Sequence, residues 1–292
     1  MSSNTATSFS DKWKNNPELV FEETLREGSE IFLWILNRNG FKDSGELSCF
    51  LKSKNRILDA GCGNGRVTAL LRKYSNPATT EIIGIDFVAS KIAKKNLASQ
   101  KNISFYKKDL LDDLTDLGKF DLIYCQEVLH HTKNPQQAFL NLTKILNARG
   151  EIAIYVYKKK APIREFTDDF IRKKISAMTY EEAMKVCEEI TTLGKSLSDS
   201  KIKIQVLEVN VLEIKAGEYD LQRFLYHFFM KCFWNDNLSF HDNAVINYDW
   251  YHPQDCSRHT IEEVRKWFAD ARLNIAHEHV DFYGITMRGI KG

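Results

Sequence analysis

Short apolar runs alternate with segments of helical periodicity through the first half of this chain. Five runs are predicted as strands: the run closed by Ile57 and Leu58, then residues 81–86, 103–106, 120–125 and 151–157. Between them, apolar residues recur at the spacing that buries one face of a helix, as Val67, Leu70 and Leu71 do. Regular alternation of strand and helix predicts a parallel sheet with a ligand crevice at the carboxyl ends of its strands.

The flanking segments have different patterns. Residues 1–16 are polar and are expected to fray, whereas residues 17–37 are predicted to be helical. Near the other end, Thr260 and Glu263 have the spacing of a capping box, which predicts a helix start. Residues 274–282 and 285–290 follow as a predicted pair of strands. Arg272 stands at the helix terminus, where a left-handed conformation would cost about 1–2 kcal/mol.

About one hundred residues separate Lys158 from Arg258, which is long enough for a structured insertion. A second capping box, Thr179 with Glu182, predicts a helix there. Aromatic residues are dense over residues 219–234 and 248–251. Because the insertion leaves from the carboxyl end of the fifth strand, we expect a mostly helical lid over the catalytic face. The alternative is that its aromatic residues form only its own core.

A glycine-rich turn follows the first strand, with Gly61, Gly63 and Gly65 after Asp59. Glycine lets backbone N–H groups approach a ligand closely, although such a turn is also common punctuation between strand and helix. The spacing is G-x-G-x-G rather than the G-x-G-x-x-G of a dinucleotide site. Asp86 ends the second strand about 20 positions later, where a carboxylate meets a ribose diol in this architecture.

Composition excludes only a few classes of function. The 292 residues include 41 basic and 39 acidic side chains, a net charge of +2, which gives no general attraction to nucleic acid. Six cysteines are scattered without a C-x-x-C pair, which argues against a zinc site and fits a reducing compartment. No signal-like pattern or membrane span is apparent. We therefore expect a cytoplasmic protein without a metal.

Four motifs occur together in order: LDAGCGNGR, IGID ending at Asp86, KKDL around Asp109, and FDLIYCQEVLHHTKNPQQAFLNLTKIL. This series resembles the class I S-adenosylmethionine-dependent methyltransferases over roughly residues 50–160 and the last forty. The resemblance implies a Rossmann-like α/β fold. Its seven-stranded, mostly parallel sheet carries helices on both faces and an antiparallel last strand.

The resemblance also implies a cofactor, S-adenosyl-L-methionine, and roles for individual residues. The glycines would wrap its amino-acid part, with Asp59 bonding its ammonium group directly or through water. Asp86 would hold the ribose hydroxyls, Asp109 and Leu110 would face the adenine, and Gln126 would lie near the methionine portion. The full predicted cofactor set is Asp59, Gly61, Cys62, Gly63, Asn64, Gly65, Asp86, Phe87, Asp109, Leu110 and Gln126.

The predicted domain organisation has three parts. Residues 1–45 form a helical segment covering the cofactor site, residues 46–160 and 256–292 form the cofactor-binding core, and residues 161–255 form the lid that binds the acceptor. A hydroxyl acceptor needs a base, usually His or a carboxylate. The favoured candidates are His131, His227 and His241. Further candidates are Glu127, His130, His252 and His259, and a structural role is expected for at least one of His130 and His131.

Acceptor binding is predicted for Tyr157, Arg164, Tyr226 and Trp250. Lys158, Lys159, Lys160 and Arg164 form a basic cluster that is either a solvated charge run or the receptor of an anionic acceptor. We expect methyl transfer to an oxygen or nitrogen of a small molecule, such as a sugar or another biosynthetic metabolite. No nucleic-acid or membrane partner is expected, and a homodimer stays open.

Two alternatives have other substrates or chemistry. One is RNA or protein methylation. Against it, residues 124–127 read Tyr-Cys-Gln-Glu. They lack the Asn/Asp-Pro-Pro-Tyr motif of amino-group methylation on bases or glutamine, and the Pro-Cys motif of carbon methylation on cytosine or uracil. The other is a family member that uses the cofactor without transferring a methyl group.

Overall fold

A computed structural model describes all 292 residues. The chain folds into two compact units. The first, here the core unit, comprises Met1, Trp13–Lys158 and Ser257–Gly292. The second, here the insertion unit, comprises Ser2–Lys12 and Lys159–Cys256. No helix of the chain has both the length and the apolar composition needed to cross a bilayer.

The core unit contains a seven-stranded sheet. Its strands are β1 Arg56–Ala60, β2 Glu81–Asp86, β3 Ile103–Lys107, β4 Phe120–Gln126, β5 Leu146–Tyr157, β8 Leu273–Val280 and β9 Gly284–Lys291. They lie in the order β3-β2-β1-β4-β5-β9-β8. Pairing is parallel from β3 through β5, and β9 is antiparallel to both β5 and β8. The predicted fold class is therefore confirmed, including the antiparallel last strand.

Alternation along the strands sends neighbouring side chains to opposite faces of this sheet. In β1, Ile57 belongs to one buried cluster and Leu58 to the other, as the two-residue repeat of a strand requires. Helices cover both faces: α2 Phe21–Leu25, α3 Glu30–Arg38, α4 Ser44–Lys52, α5 Arg66–Tyr74, α6 Ser90–Asn96, α7 Pro135–Lys144 and α12 Ile261–Asp270. The single helix predicted over residues 17–37 is thus two helices, α2 and α3.

Local signals predicted several boundaries correctly. Both capping boxes are present, Thr179 with Glu182 and Thr260 with Glu263, and each opens a helix. Arg272 adopts the left-handed conformation with φ 55°. Its backbone N–H donates to the Ala269 carbonyl, which closes the end of α12.

The insertion unit is mostly helical, with α8 Pro162–Ile175, α9 Tyr180–Asp199, α10 Leu221–Phe228 and α11 Phe240–Tyr251. It also has an antiparallel pair of strands that the sequence pattern did not predict, β6 Lys203–Val206 and β7 Gly217–Asp220. Both strands are only four residues long. Such short strands give little alternation to detect.

The expectation that residues 1–16 fray is wrong. Helix α1 spans Ser3–Asn15, and its polar side chains bond at successive turns. Asn4 donates to the Ser176 carbonyl, the Ser8 hydroxyl lies 2.7 Å from His252 Nδ1, and Lys12 pairs with Asp249 at 2.9 Å. Polar residues four apart lie on one helix face. Since this face carries no apolar stripe, hydrophobic periodicity could not reveal its packing.

Candidate active site

The glycine turn after β1 has the backbone that the sequence predicts for a ligand cradle. Gly61, Gly63 and Gly65 all have positive φ, at 86°, 52° and 89°. The N–H groups of Gly61 and Cys62 donate to the Ile85 carbonyl at 2.7 and 2.9 Å, which ties the turn to the end of β2. An L-residue at any of the three glycines would be strained. The turn therefore has a fixed shape at the carboxyl edge of the sheet.

Close packing reinforces that requirement. A Cβ on Gly61 would lie 2.3 Å from a methyl carbon of Val128, and one on Gly63 would lie 2.9 Å from the Trp13 ring. Val128 follows β4, so Gly61 lets the two loops after β1 and β4 touch. The sequence signalled the glycines but not these two partners.

Asp86 links the turn to the start of α6. One carboxylate oxygen accepts the Gly63 N–H at 3.0 Å, and the other accepts the N–H groups of Val88 and Ala89 at 2.8 and 2.7 Å. A carboxylate offers about four acceptor positions, so one remains beside these three bonds. The side chain is half-buried. Asp86 can therefore both shape the turn and accept a hydroxyl, as the ribose role requires.

Asp59 lies deeper than its predicted role suggests. It is 2% exposed, and its carboxylate accepts the Thr68 hydroxyl at 2.5 Å. Burial raises its pKa to about 7, and hydrogen bonds from the hydroxyl and backbone N–H of Thr68 only partly offset this. Gly65 has no side chain to cap α5, so Asp59 accepts hydrogen bonds at the buried start of that helix in its place. Bonding of the cofactor's ammonium by Asp59 stays a prediction.

Asn64 and Cys62 support the turn from below. Asn64 is fully buried, donates to the Leu19 carbonyl at 3.2 Å and accepts the Arg66 N–H at 3.2 Å. Cys62 is also buried, and that burial raises the pKa of its thiol well above the usual value. These contacts account for both residues as parts of the scaffold, and their contact with the cofactor stays a prediction.

The remaining predicted cofactor residues lie at or just after the ends of β2, β3 and β4. Phe87 is half-buried, with Lys107 Nζ 5.3 Å from its ring centroid. Asp109 accepts the Leu111 N–H at 3.0 Å and lies 3.4 Å from the Met1 amino group, whereas Leu110 is buried in the core. Gln126 accepts the Tyr124 hydroxyl at 3.1 Å. Strand order brings these ends to one edge of the sheet.

His130, His131 and Tyr157 form one aromatic group in the core unit. The His130 ring stacks on Tyr157 with centroids 3.6 Å apart, and the His131 ring meets His130 edge-on at 4.4 Å. His130 Nδ1 accepts the Tyr157 N–H at 3.3 Å, and its carbonyl accepts the N–H and hydroxyl of Ser257. These bonds give His130 a structural role. A base role for His131 stays a prediction.

The other predicted acceptor and base residues belong to the insertion unit. Arg164 is 1% exposed and pairs with Asp168 at 3.1 Å, its guanidinium lying over the rings of Tyr226 and Trp250 at 4.5 and 5.4 Å. The structure therefore brings these three predicted residues together as a buried cluster. Those contacts explain Arg164 without an acceptor.

The histidines of the insertion unit have different surroundings. His227 is half-buried, with its ring edge-on to Tyr226 at 5.1 Å, whereas His241 is exposed in the first turn of α11. His252 bonds Ser8 and Tyr248, and burial lowers its pKa. In the basic cluster, Lys159 is exposed and Lys160 buried. Base roles for these histidines stay predictions.

Sequence reasoning missed one further pair. Arg66 Nη2 donates to the Glu127 carboxylate at 3.2 Å, and Arg66 Nη1 donates to the Thr24 hydroxyl at 3.0 Å. Glu127 directly follows β4 and has φ 61°. Both residues lie in the quoted motifs, but neither motif indicates that they pair with each other. The adjacency of Arg66 to the last glycine and the position of Glu127 after the fourth strand are the signals that could have drawn attention to the pair.

Comparison with known proteins agrees with this geometry. A family model described as a methyltransferase domain matches residues 51–219, more than half of the chain. Over 179 residues the chain is 28% identical to the ubiquinone biosynthesis O-methyltransferase of Rickettsia typhi, covering 58% of this chain and 68% of that enzyme. Over 105 residues it is 33% identical to the enzyme of the same name from Coxiella burnetii, covering 35% and 43%.

A third relative and one solved structure are also similar. An uncharacterized Synechococcus protein is 36% identical over 120 residues, and the chain spans only 28% of that protein's length. The structure of PKMT2 from Rickettsia typhi has a TM-score of 0.53 at 16% identity, covering 82% of this chain and 50% of that one. PKMT2 is also known in complex with AdoHcy. At such low identity the structural likeness concerns the fold alone.

Proposed function

This chain belongs to the S-adenosylmethionine-dependent methyltransferase family, and on that basis we propose that it methylates an oxygen or nitrogen of a small-molecule acceptor. The observation that carries the proposal is the turn at Gly61, Gly63 and Gly65, whose left-handed glycines are bound to the Asp86 carboxylate through the Gly63 N–H. The O-methyltransferase names of two relatives favour oxygen as the acceptor atom.

The residues at this edge suit S-adenosyl-L-methionine. The glycine turn offers a close backbone approach for the amino-acid end, Asp86 retains an acceptor position for a ribose hydroxyl, and Asp109 stands at the end of β3 for the adenine. When bound, this cofactor supplies an electrophilic methyl group on a sulfonium. The chain's own task is then to position the acceptor and exclude water, which can contribute several kcal/mol to catalysis.

Proton removal depends on the acceptor. A hydroxyl requires a base, and His131 is the proposed candidate in the core unit because it lies in the loop after β4. Its ring contacts His130 and Tyr157. His227 and His241 remain candidates in the insertion unit. An amine acceptor would need only to be neutral and aligned, so acceptor type decides whether any of these histidines matters.

Tyr157, Arg164, Tyr226 and Trp250 remain proposed contacts for the acceptor. The buried Arg164–Asp168 pair supports a second interpretation, in which Arg164, Tyr226 and Trp250 shape the acceptor pocket through packing without touching the acceptor.

Calorimetry with S-adenosylhomocysteine tests the cofactor site. We expect binding by the unmodified chain and its loss in Gly61→Ala, because the added Cβ would meet Val128 at 2.3 Å. Gly28→Ala is the matched control: Gly28 has φ 82°, but nothing lies within 4 Å of the Cβ that an alanine would add. It carries the backbone strain without the clash. Absence of binding by the unmodified chain would reject the proposal.

Acceptor class is tested by a screen that counts S-adenosylhomocysteine formed. Small hydroxyl and amine compounds are expected to support turnover, and RNA or protein fractions are not. Turnover with RNA or protein alone would replace the small-molecule proposal. Loss of activity in His131→Ala by more than about tenfold, with cofactor binding retained, would support a base role.

A further inference from the structure

We propose that Arg66 receives the α-carboxylate of the cofactor's amino-acid end, and that the Glu127 carboxylate competes for the same guanidinium. The inference rests on the proposed function, because it assigns a residue to one end of that cofactor. It adds to the glycine turn a side chain that selects nucleosides carrying an amino-acid group.

Arg66 is the residue that directly follows the glycine turn. It opens helix α5, with Gly65 as the N-cap. Its Nη1 donates to the Thr24 hydroxyl at 3.0 Å and its Nη2 to Glu127 Oε2 at 3.2 Å, and the side chain is 17% exposed. A guanidinium has five N–H donors and binds a carboxylate through two parallel bonds. Arg66 is thus already engaged with one carboxylate through a single bond from Nη2, and its remaining N–H donors are the groups that a second carboxylate would use.

Glu127 occupies an unusual position. It follows the last residue of β4, and its φ of 61° places it in the left-handed region that L-residues avoid. Its neighbour Val128 packs against Gly61. Strained residues of this kind concentrate at ligand sites. The Glu127 carboxylate is 40% exposed. Water can therefore hydrate it when a different carboxylate binds Arg66.

Charge at the turn favours Arg66 as the anion's partner. Asp59 and Asp86 both lie at the turn, and each would repel a carboxylate. The Arg66 charge is close enough to act against the burial that raises the Asp59 pKa. Arg66 also stands at the first turn of a nine-residue helix, whose terminus adds partial positive charge. The amino-acid carboxylate therefore has its best-matched site at Arg66.

The test compares two nucleosides by calorimetry: S-adenosylhomocysteine, and 5′-methylthioadenosine, the thioether that lacks the amino-acid end. Arg66→Gln is expected to weaken S-adenosylhomocysteine by about tenfold or more, as loss of a charge-assisted bond does, and to leave 5′-methylthioadenosine within about twofold. Glu127→Gln is expected to tighten S-adenosylhomocysteine alone. Arg265→Gln, which removes the exposed pair with Glu278, is the control and should alter neither affinity.

Each alternative result has a distinct meaning. Equal weakening of both nucleosides in Arg66→Gln would overturn the inference, because a structural clamp acts on the whole site. Weaker S-adenosylhomocysteine binding in Glu127→Gln would overturn the competition between carboxylates. If the unmodified chain binds both nucleosides equally well, the inference fails while the proposed function stands. If it binds neither, both fail.

Discussion

Asp59 in the core unit and Asp168 in the insertion unit are equally buried, at 2% and 1% exposure, but their surroundings differ. Asp59 receives its bonds from Thr68 alone. Asp168 accepts from Arg164 Nε at 3.1 Å, Trp250 Nε1 at 2.8 Å, the Tyr251 hydroxyl at 2.8 Å and the Lys231 N–H at 2.9 Å. The two carboxylates therefore differ in how many donors they accept from and in whether one of those donors is a cation.

This difference in hydrogen bonding gives the two aspartates different charge behaviour. Burial works against the charge on Arg164, yet Asp168 beside it raises the arginine pKa above its usual value. Burial and Asp168 likewise raise the pKa of Tyr251. The insertion unit thus contains a bonded ionic network that joins α8 to α11. In the core unit, burial raises the pKa of Asp59 beside the glycine turn to about 7, so its charge changes near neutral pH.

The largest effect is expected from Asp168→Asn. It would leave the buried Arg164 without its counter-ion, and such losses typically cost about 3–5 kcal/mol of unfolding free energy. Urea unfolding and hydrogen exchange over α8 and α11 measure it. Asp199→Asn, which removes an exposed pair with Lys195, is the control and should change stability little. Equal effects of the two substitutions would refute the network.

Asp59→Asn is expected to stabilise the protein, in contrast to Asp168→Asn. The folded pKa of Asp59 is raised to about 7 from an ordinary 3.8. Its contribution to stability is therefore fully present below about pH 4 and is lost as pH rises towards 7. At pH 8 the variant should gain about 2–4 kcal/mol, and near pH 4 almost nothing. Thermal unfolding across this range measures the difference.

The control for Asp59 is Asp116→Asn, an exposed aspartate of the same unit that pairs with Lys108. It should show no comparable gain between pH 4 and 8. A variant–wild-type difference at Asp59 that does not change with pH would show that this carboxylate does not titrate in that window.

Lys231→Met tests the opposite pH dependence of stability, a rise with pH, in the insertion unit. Burial lowers the pKa of Lys231 to about 8, with the Asp249 charge opposing it. The folded protein binds fewer protons than the unfolded chain between about pH 8 and 10.5, so stability rises with pH there. We expect a rise of about 2–3 kcal/mol in the unmodified chain, and its disappearance in the variant. Chemical unfolding at pH 8 and pH 10 detects it. The same change in unfolding free energy between pH 8 and pH 10 in both proteins would contradict the prediction.

Trp250→Phe should have the smallest effect. It removes one of the four donors to Asp168 while keeping most of the ring, and a hydrogen bond to a charged group contributes about 1.5–3 kcal/mol at most. Because three donors remain, we expect a loss of about 1–2 kcal/mol in urea unfolding. Trp34→Phe, at an aromatic contact with Tyr283, is the matched ring change. If Trp250→Phe lowers the unfolding free energy no more than Trp34→Phe does, the hydrogen bond from the Trp250 indole contributes little to stability.

Prediction from the sequence succeeded where the signal is local. The strands of the sheet and both capping boxes each depend on residues within a few positions of one another. It failed at α1, where polar rather than apolar residues bond on one face. It also missed the short β6–β7 pair. In both cases hydrophobic periodicity carries no information.

The candidate site divides in the same way. The glycine turn and Asp86 were found because spacing along the chain prescribes them. The deep burial of Asp59, the contact of Trp13 with Gly63, and the pair of Arg66 with Glu127 were not. Each depends on which loops meet at the edge of the sheet.

The sequence by itself determined the order of strands and helices, the family and the turn that opens α5, because backbone preference and burial periodicity are written in neighbouring residues. Only the tertiary structure decided the charge environment. Burial removes water from a carboxylate, and N–H and O–H donors from other segments of the chain take the place of that water. Asp59 and Asp168 are the same residue type. Burial makes the first titrate near neutrality, whereas the second has Arg164 one helical turn away and distant donors from Lys231, Trp250 and Tyr251 that complete an ionic network.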